Sequence, residues 1–119
     1  MTILNLTQHE ATEQQVEAGV VEPANKKAVQ ALLTFDEIPA SEDIHERARA
    51  LAIIARDSGC STAMIGGAPY LMGALEKHLH WRFVQAVYAF SVRESVEQVA
   101  EDGSVTKTNV FRHVGFVCV

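Results

Sequence analysis

Cysteine is scarce in this chain: Cys60 and Cys118 stand far apart and form no CxxC pair. That pattern supports neither a disulfide framework nor a cysteine zinc site, and both residues are read as small buried hydrophobes. Basic residues are also in the minority, with 10 Lys and Arg against 15 Asp and Glu, a net charge of −5. Duplex DNA or long RNA demands many Lys and Arg contacts, so neither is expected as a partner. A small anion stays open, because a local pocket can oppose the global charge. No apolar run approaches about 18 residues, so no membrane span is expected. Met1 to Leu6 lacks the basic start and apolar core of a signal peptide, and a cytoplasmic location is the expectation.

Several chemical motifs are missing as well. The glycines match neither GxGxxG nor GxxxxGK[ST], which argues against standard dinucleotide and nucleoside-triphosphate folds. Ser61, Ser91 and Ser95 sit in no GxSxG elbow, so serine hydrolase chemistry has no support. His78 and His80 lack a neighbouring carboxylate or thiolate and fall where a helix ends, a place that suits histidine without any metal. No metal and no cofactor are expected.

What remains is the composition of an ordinary globular domain, 48% hydrophobic and 21% charged, with no repeats or linker. One domain over residues 1–119 is expected. Ile3 to Leu6 reads as a short buried strand. Thr12 and Gln15 form a capping-box pattern before a short helix that stops at Gly19. Ala24, Ala28, Val29, Leu32 and Leu33 have helical spacing. Thr34 to Pro39 reads equally as a strand or a connector. Ser41 is the expected cap of a strong helix whose apolar face is Ile44, Ala48, Leu51, Ala52 and Ala55, ending at Gly59. A strand over 61–65 and a helix over about 69–79 follow. Phe83 to Val92 reads as a central strand. Asp102-Gly103 signals a two-residue hairpin with Val99 opposite Thr106 and Val96 opposite Asn109. Strands alternating with helices, then a hairpin, imply an α/β fold: a mainly parallel sheet flanked by helices, with a C-terminal antiparallel β-hairpin extension.

The segment Thr62 to Pro69 is the most telling. A strand ends in Gly66-Gly67, and Pro69 then opens an amphipathic helix. Glycines let a ligand approach the main chain, and the free N–H groups of a first helical turn favour an anion. In a parallel sheet, the carboxyl edge gathers Asn5 to His9, Ile65 to Pro69 and Ser91 to Ser95. Together they offer amides, hydroxyls, backbone N–H groups and the Arg93 guanidinium, all suited to phosphate. Each has a plainer reading: Asn5 and Thr7 as a turn, His9 as an exposed loop residue, Arg93 paired with Glu94 or Glu97, the glycines as a tight turn only. Arg112 and His113 fall on opposite faces of their strand.

Residues Tyr88 to Glu97, Asp102 to Val105 and Asn109 to Phe116 resemble the ending of small stand-alone CRISPR-associated proteins, the single-domain Rossmann-like (CARF-type) group that includes ring nucleases. The group also opens with a short strand, a polar His-containing segment and a Thr-x-x-Gln helix start, as at Leu4 to Gln15. The likeness extends over most of the chain in element order and over 88–116 in residues. The chain departs from the group at Gly66-Gly67-Ala68-Pro69, which lacks the acidic and aromatic residues of the group's turn. The resemblance implies a Rossmann-like homodimer that binds a cyclic oligoadenylate or related small nucleotide across its two-fold axis. Metal-free cleavage by a ribose 2′-OH would then use Arg93 to steady charge and His9 to move the proton. Asn5, Thr7, Gly66, Gly67, Ala68 and Ser91 would bind the ligand. A protein that sequesters the nucleotide intact, or a phage or mobile-element interaction protein without a small-molecule site, are the competing readings.

Overall fold

The computed structural model describes residues 1–119. Strands β1 (Ile3–Leu6) and β3 (Thr62–Ile65) are buried along their whole length, as strands covered on both faces must be. Their side chains alternate between two clusters. Leu4, Leu6, Ala63 and Ile65 join the larger core, built with helices α2 (Lys26–Leu33), α3 (Ser41–Asp57) and α4 (Pro69–Trp81). Ile3 and Met64 point the other way, into a small cluster with Val20 and Val87 that Ala11 and Phe116 flank. The short helix α1 (Glu13–Glu17) lies outside both clusters and buries no residue.

Strand β2 (Val20–Val21) is the second strand, and Thr34 to Pro39 is a connector between α2 and α3. With β4 (Gln85–Val99) and β5 (Val105–Cys118) the sheet order is β2-β1-β3-β4-β5. The first four strands run parallel, and β5 returns antiparallel to β4. This is the mixed α/β sheet with an antiparallel C-terminal pair that the residue pattern implies. No helix is long and apolar enough to cross a membrane.

The Thr12–Gln15 capping box forms as expected. The cap of α3 does not fall on Ser41. Ala40 is the N-cap and its carbonyl accepts from the Ile44 N–H at 3.1 Å, so Ser41 is already helical and its hydroxyl caps nothing. Ala48, Leu51, Ala52 and Ala55 are buried on α3 as the periodicity requires.

The largest differences lie in the last third. Phe83 precedes β4 and is exposed, and only Gln85 to Tyr88 pair with β3. From Ala89 onward β4 pairs with β5 alone, so it becomes one half of a projecting two-stranded arm instead of a central strand. The turn also differs. Val99 faces Val105 and Val96 faces Thr108, one residue out of the expected register. Ala100 and Ser104 close a three-residue loop, in which the Gly103 N–H donates to the Ala100 carbonyl at 2.9 Å. Gly103 there adopts φ +84°, the left-handed residue that follows a type I turn in a loop of this length. Cys60 is buried, whereas Cys118 is exposed because it sits on the outer strand near the chain's end.

Every fully buried residue lies between Ile3 and Val87, so beyond the flanking Phe116 the arm adds nothing to the core. The radius of gyration is 17.1 Å. A compact chain of this length has about 13–14 Å.

Candidate functional site at the carboxyl edge of the sheet

Parallel pairing of β1, β3 and β4 brings Thr7 to Glu10 beside Gly66 and Gly67, where the strands end. Between them lies a cavity of about 490 Å³, which Thr12, Gln15, Tyr88 and Ala89 complete. Of the residues expected to bind or catalyse, Thr7, His9, Gly66 and Gly67 line it. Asn5 lies beneath, fully buried. Ala68 is the N-cap of α4, outside the lining, and packs against the larger core. Ser91 and Arg93 also lie outside the lining, on the arm, because β4 leaves the sheet after Tyr88. The Arg93 guanidinium sits 5.6 Å from the centre of the Phe111 ring. Glu94 pairs with Arg112 and Glu97 with Lys107, so neither neighbour holds Arg93.

Asn5 explains why the Thr7–Ala11 segment stands where it does. An asparagine inside an apolar strand must find partners or lose the hydration of its amide. Its Oδ1 accepts from the Thr7 N–H at 2.9 Å and from the Thr7 hydroxyl at 2.6 Å. Its Nδ2 donates to the His9 carbonyl at 2.8 Å and to both oxygens of Glu22 at 3.1 and 3.0 Å. Lys26 Nζ then donates to the carbonyls of Thr7, at 2.6 Å, and His9, at 3.0 Å, and pairs with Glu22 at 3.2 Å. The Ala11 N–H closes the arch on Glu22 at 2.9 Å. From α2, Gln30 Nε2 donates to the Gln8 carbonyl at 2.9 Å. The network turns the backbone of residues 7–11 into a fixed wall and leaves the His9 ring exposed.

Glu22 and Lys26 escaped the sequence reading. The available signals were an amide in a buried strand, which needs a charged or polar partner, and the i, i+4 spacing of Glu22 and Lys26. Burial pushes the Glu22 carboxyl up, but the Ala11 N–H, the Asn5 amide and the Lys26 ammonium outweigh it and hold the carboxyl below its ordinary 4.5. A carboxyl depressed on folding contributes stability that is present above its unfolded value and lost as pH falls through the folded one. Wild type is therefore expected to lose melting temperature below about pH 4 more steeply than Glu22→Gln, in a thermal-unfolding series against pH.

The opposite wall is the turn into α4. Gly67 has φ +151°, where a side chain would be strained, so its backbone lies bare to the cavity. No side chain caps α4, and Pro69 occupies its first turn, as the sequence predicts. Behind this wall Tyr88 donates its hydroxyl to Glu76 at 2.7 Å. Burial, then that carboxylate, raise the Tyr88 hydroxyl well above its ordinary value, so it stays protonated and structural. Elsewhere, burial together with the Arg82, His45 and Arg49 charges lowers His78 and favours its neutral form. No three His, Cys, Asp or Glu side chains are grouped to hold a metal ion.

A second cavity of about 570 Å³ opens beside β2, lined by apolar Leu4, Val21, Pro23, Ala28 and Ile54 and by polar Glu22, Asn25, Asp57 and Ser58. It takes in the end of β2 at Val21 but no glycine turn, and none of the residues expected to bind or catalyse lines it. A family model described as the uncharacterized protein MJ1673 family matches residues 1–117. No curated protein and no solved structure matches the chain.

Proposed function

We propose, for a chain that belongs to the MJ1673 family, that it binds a small nucleotide of the cyclic oligoadenylate class in the carboxyl-edge cavity, as a Rossmann-like homodimer. The observation that carries this reading is the joining of Thr7, His9, Gly66 and Gly67 around one cavity of about 490 Å³ at the ends of parallel strands. Ligands of α/β sheets sit at such edges. The bare Gly67 backbone admits a phosphate or ribose, and the uncapped α4 turn favours negative charge. Net acidity does not oppose this, since the only carboxylate in the lining is Glu10.

Cleavage on this site takes one route that needs no metal. A ribose 2′-oxygen attacks the adjacent phosphorus, the bond to the 5′-oxygen breaks, and a 2′,3′-cyclic phosphate and a 5′-hydroxyl result. His9 is the group that takes the 2′ proton or supplies the 5′ one, and orientation of the ribose supplies much of the acceleration. Sequestration without turnover is the second reading, favoured by the position of Arg93 outside the cavity lining.

Calorimetric titration with cyclic tetra-adenylate, followed by chromatography of the nucleotide, tests both. Saturable binding with linear product is expected, with His9→Ala binding normally and cleaving at least ~100-fold more slowly. Intact nucleotide recovered from a tight complex leaves sequestration. If no cyclic oligoadenylate or mononucleotide binds, the nucleotide reading is wrong.

A further inference from the structure

The arm leans on the body only at its base, where Phe116 flanks the small cluster and the His113 N–H donates to Gln14 Oε1 at 3.1 Å. Two-stranded hairpins alone are marginal in water. Beyond Tyr88 the edge of β4 that faces away from β5 has no hydrogen-bonding partner, from Ala89 to Val99. Natural edges are guarded by proline, charged side chains, bulges or short length. This one has no proline or lysine over 89–99, its charges Arg93, Glu94 and Glu97 are of both signs, and its one register shift sits at the base, at Phe90/Ser91. Its upper face, continuing that of Tyr88, carries Phe90, Val92 and Val96, with Val110 beside them from β5.

We propose that this free edge of β4 pairs antiparallel with the same edge of a second copy, joining two arms into one four-stranded ribbon. The inference stands on the sheet edge and does not depend on the nucleotide reading. Its occupant follows from symmetry and charge. Two identical antiparallel strands pair about a two-fold axis, and residues directly opposite share a face. The axis in a regular pairing therefore passes through a residue position, and the register is fixed by which one. β3 occupies this edge as far as Tyr88, so the partner's Val99, its last strand residue, has to face residue 89 or later. That excludes every axis before Glu94. An axis at Glu94 sets two carboxylates face to face, which is destabilising.

An axis at Ser95 sets serine against serine and Arg93 against the partner's Glu97, twice over. Arg93, Ser95 and Glu97 share one face, as the Arg93–Phe111 and Glu97–Lys107 cross-strand contacts attest. Arg93 has no carboxylate partner within its own chain, and this register supplies one. An axis at Val96 shortens the paired stretch and sets Arg93 against the partner's Val99. Ser95 is thus the position that combines the longest overlap with matched charge. It also turns the two carboxyl edges, and their cavities, toward each other.

Sedimentation equilibrium and cysteine cross-linking test the proposal in the full chain. Wild type is expected to sediment as two 13.0 kDa chains. Arg93→Glu should weaken the dimer about tenfold or more, and Arg93→Glu with Glu97→Arg and Lys107→Glu should restore it, since the pair is reversed together with the Lys107 contact of Glu97. In a Cys118→Ser background, Ser95→Cys should form a covalent dimer on mild oxidation, because directly opposite residues lie within disulfide reach. Ser91→Cys, facing the partner's Val99, should not. Circular dichroism of each variant separates lost pairing from lost fold. A wild type that is monomeric, a charge swap that fails to restore a folded protein's dimer, or cross-linking at Ser91 in place of Ser95 would each overturn the arrangement.

Discussion

Asn5→Ala should lower the unfolding free energy by about 3 kcal/mol, because hydrogen bonds to a charged group are worth ~1.5–3 kcal/mol and orphaned groups add to the loss. On a domain of this size that is a fall of roughly 10–15 °C in melting temperature. The reason is the number of groups that one amide satisfies. Its oxygen serves the Thr7 N–H and hydroxyl, and its nitrogen serves the His9 carbonyl and the Glu22 carboxylate. Alanine removes both ends and leaves the carboxylate with Lys26 and Ala11 alone. Asn5→Asp should be no gentler, since it turns a donor toward Glu22 into a second anion. Differential scanning calorimetry checks the magnitude. A loss below about 1 kcal/mol, the worth of one ordinary neutral hydrogen bond, would mean that the network is not cooperative. The arch it holds forms one wall of the cavity, so the nucleotide binding proposed for that cavity should fall with it, even at temperatures where the variant is folded.

Leu71→Ala is the second large effect. Leu71 is fully buried in the first turn of α4, in the core shared with β1 and β3. Truncating such a leucine leaves a void that the surroundings fill only in part, at a loss of about 3–4 kcal/mol. Leu71→Met, which keeps the volume, should lose less than about 1.5 kcal/mol. Urea unfolding of the two variants separates a packing role from a general intolerance to change. The location gives the result functional meaning. The Leu71 N–H bonds the Ala68 carbonyl at 3.0 Å, one residue past the Gly66-Gly67 turn, so a looser α4 start loosens the second wall of the cavity as well.

Local chemistry carried much of this architecture in legible form. The capping box of Thr12 and Gln15, the apolar stripe of α3 and the proline that opens α4 are all short-range patterns, and each is formed. The carboxyl-edge meeting of Thr7 and His9 with Gly66 and Gly67 was legible too, given only that the strands run parallel. The failures share a cause. Ser41 has a capping side chain, but the turn begins at Ala40 because the connector delivers an extended residue there. The hairpin dipeptide Asp102-Gly103 fixes that a turn occurs, while the closing bond from Ala100 to Ser104 sets the register one residue away. Val, Phe and Tyr mark residues 83–92 as strand, yet nothing local says where the neighbouring strand stops.

Short-range patterning settles most helices and strands, the burial of β1 and the position of the glycine turn, because periodicity and backbone preference act within a few residues; it leaves Thr34 to Pro39 open and gives no sign of β2. Tertiary structure alone decided that Asn5 would bind Glu22, that Lys26 would brace Thr7 and His9, and that Arg93 would stand outside the cavity lining. Each of these depends on distances between segments far apart in the chain. The Asn5 and Lys26 contacts follow from the pairing of β1 with β2, which delivers Glu22 and the start of α2 beside Thr7 to His9, and the place of Arg93 follows from the ending of β3 at Ile65 while β4 runs on to Val99.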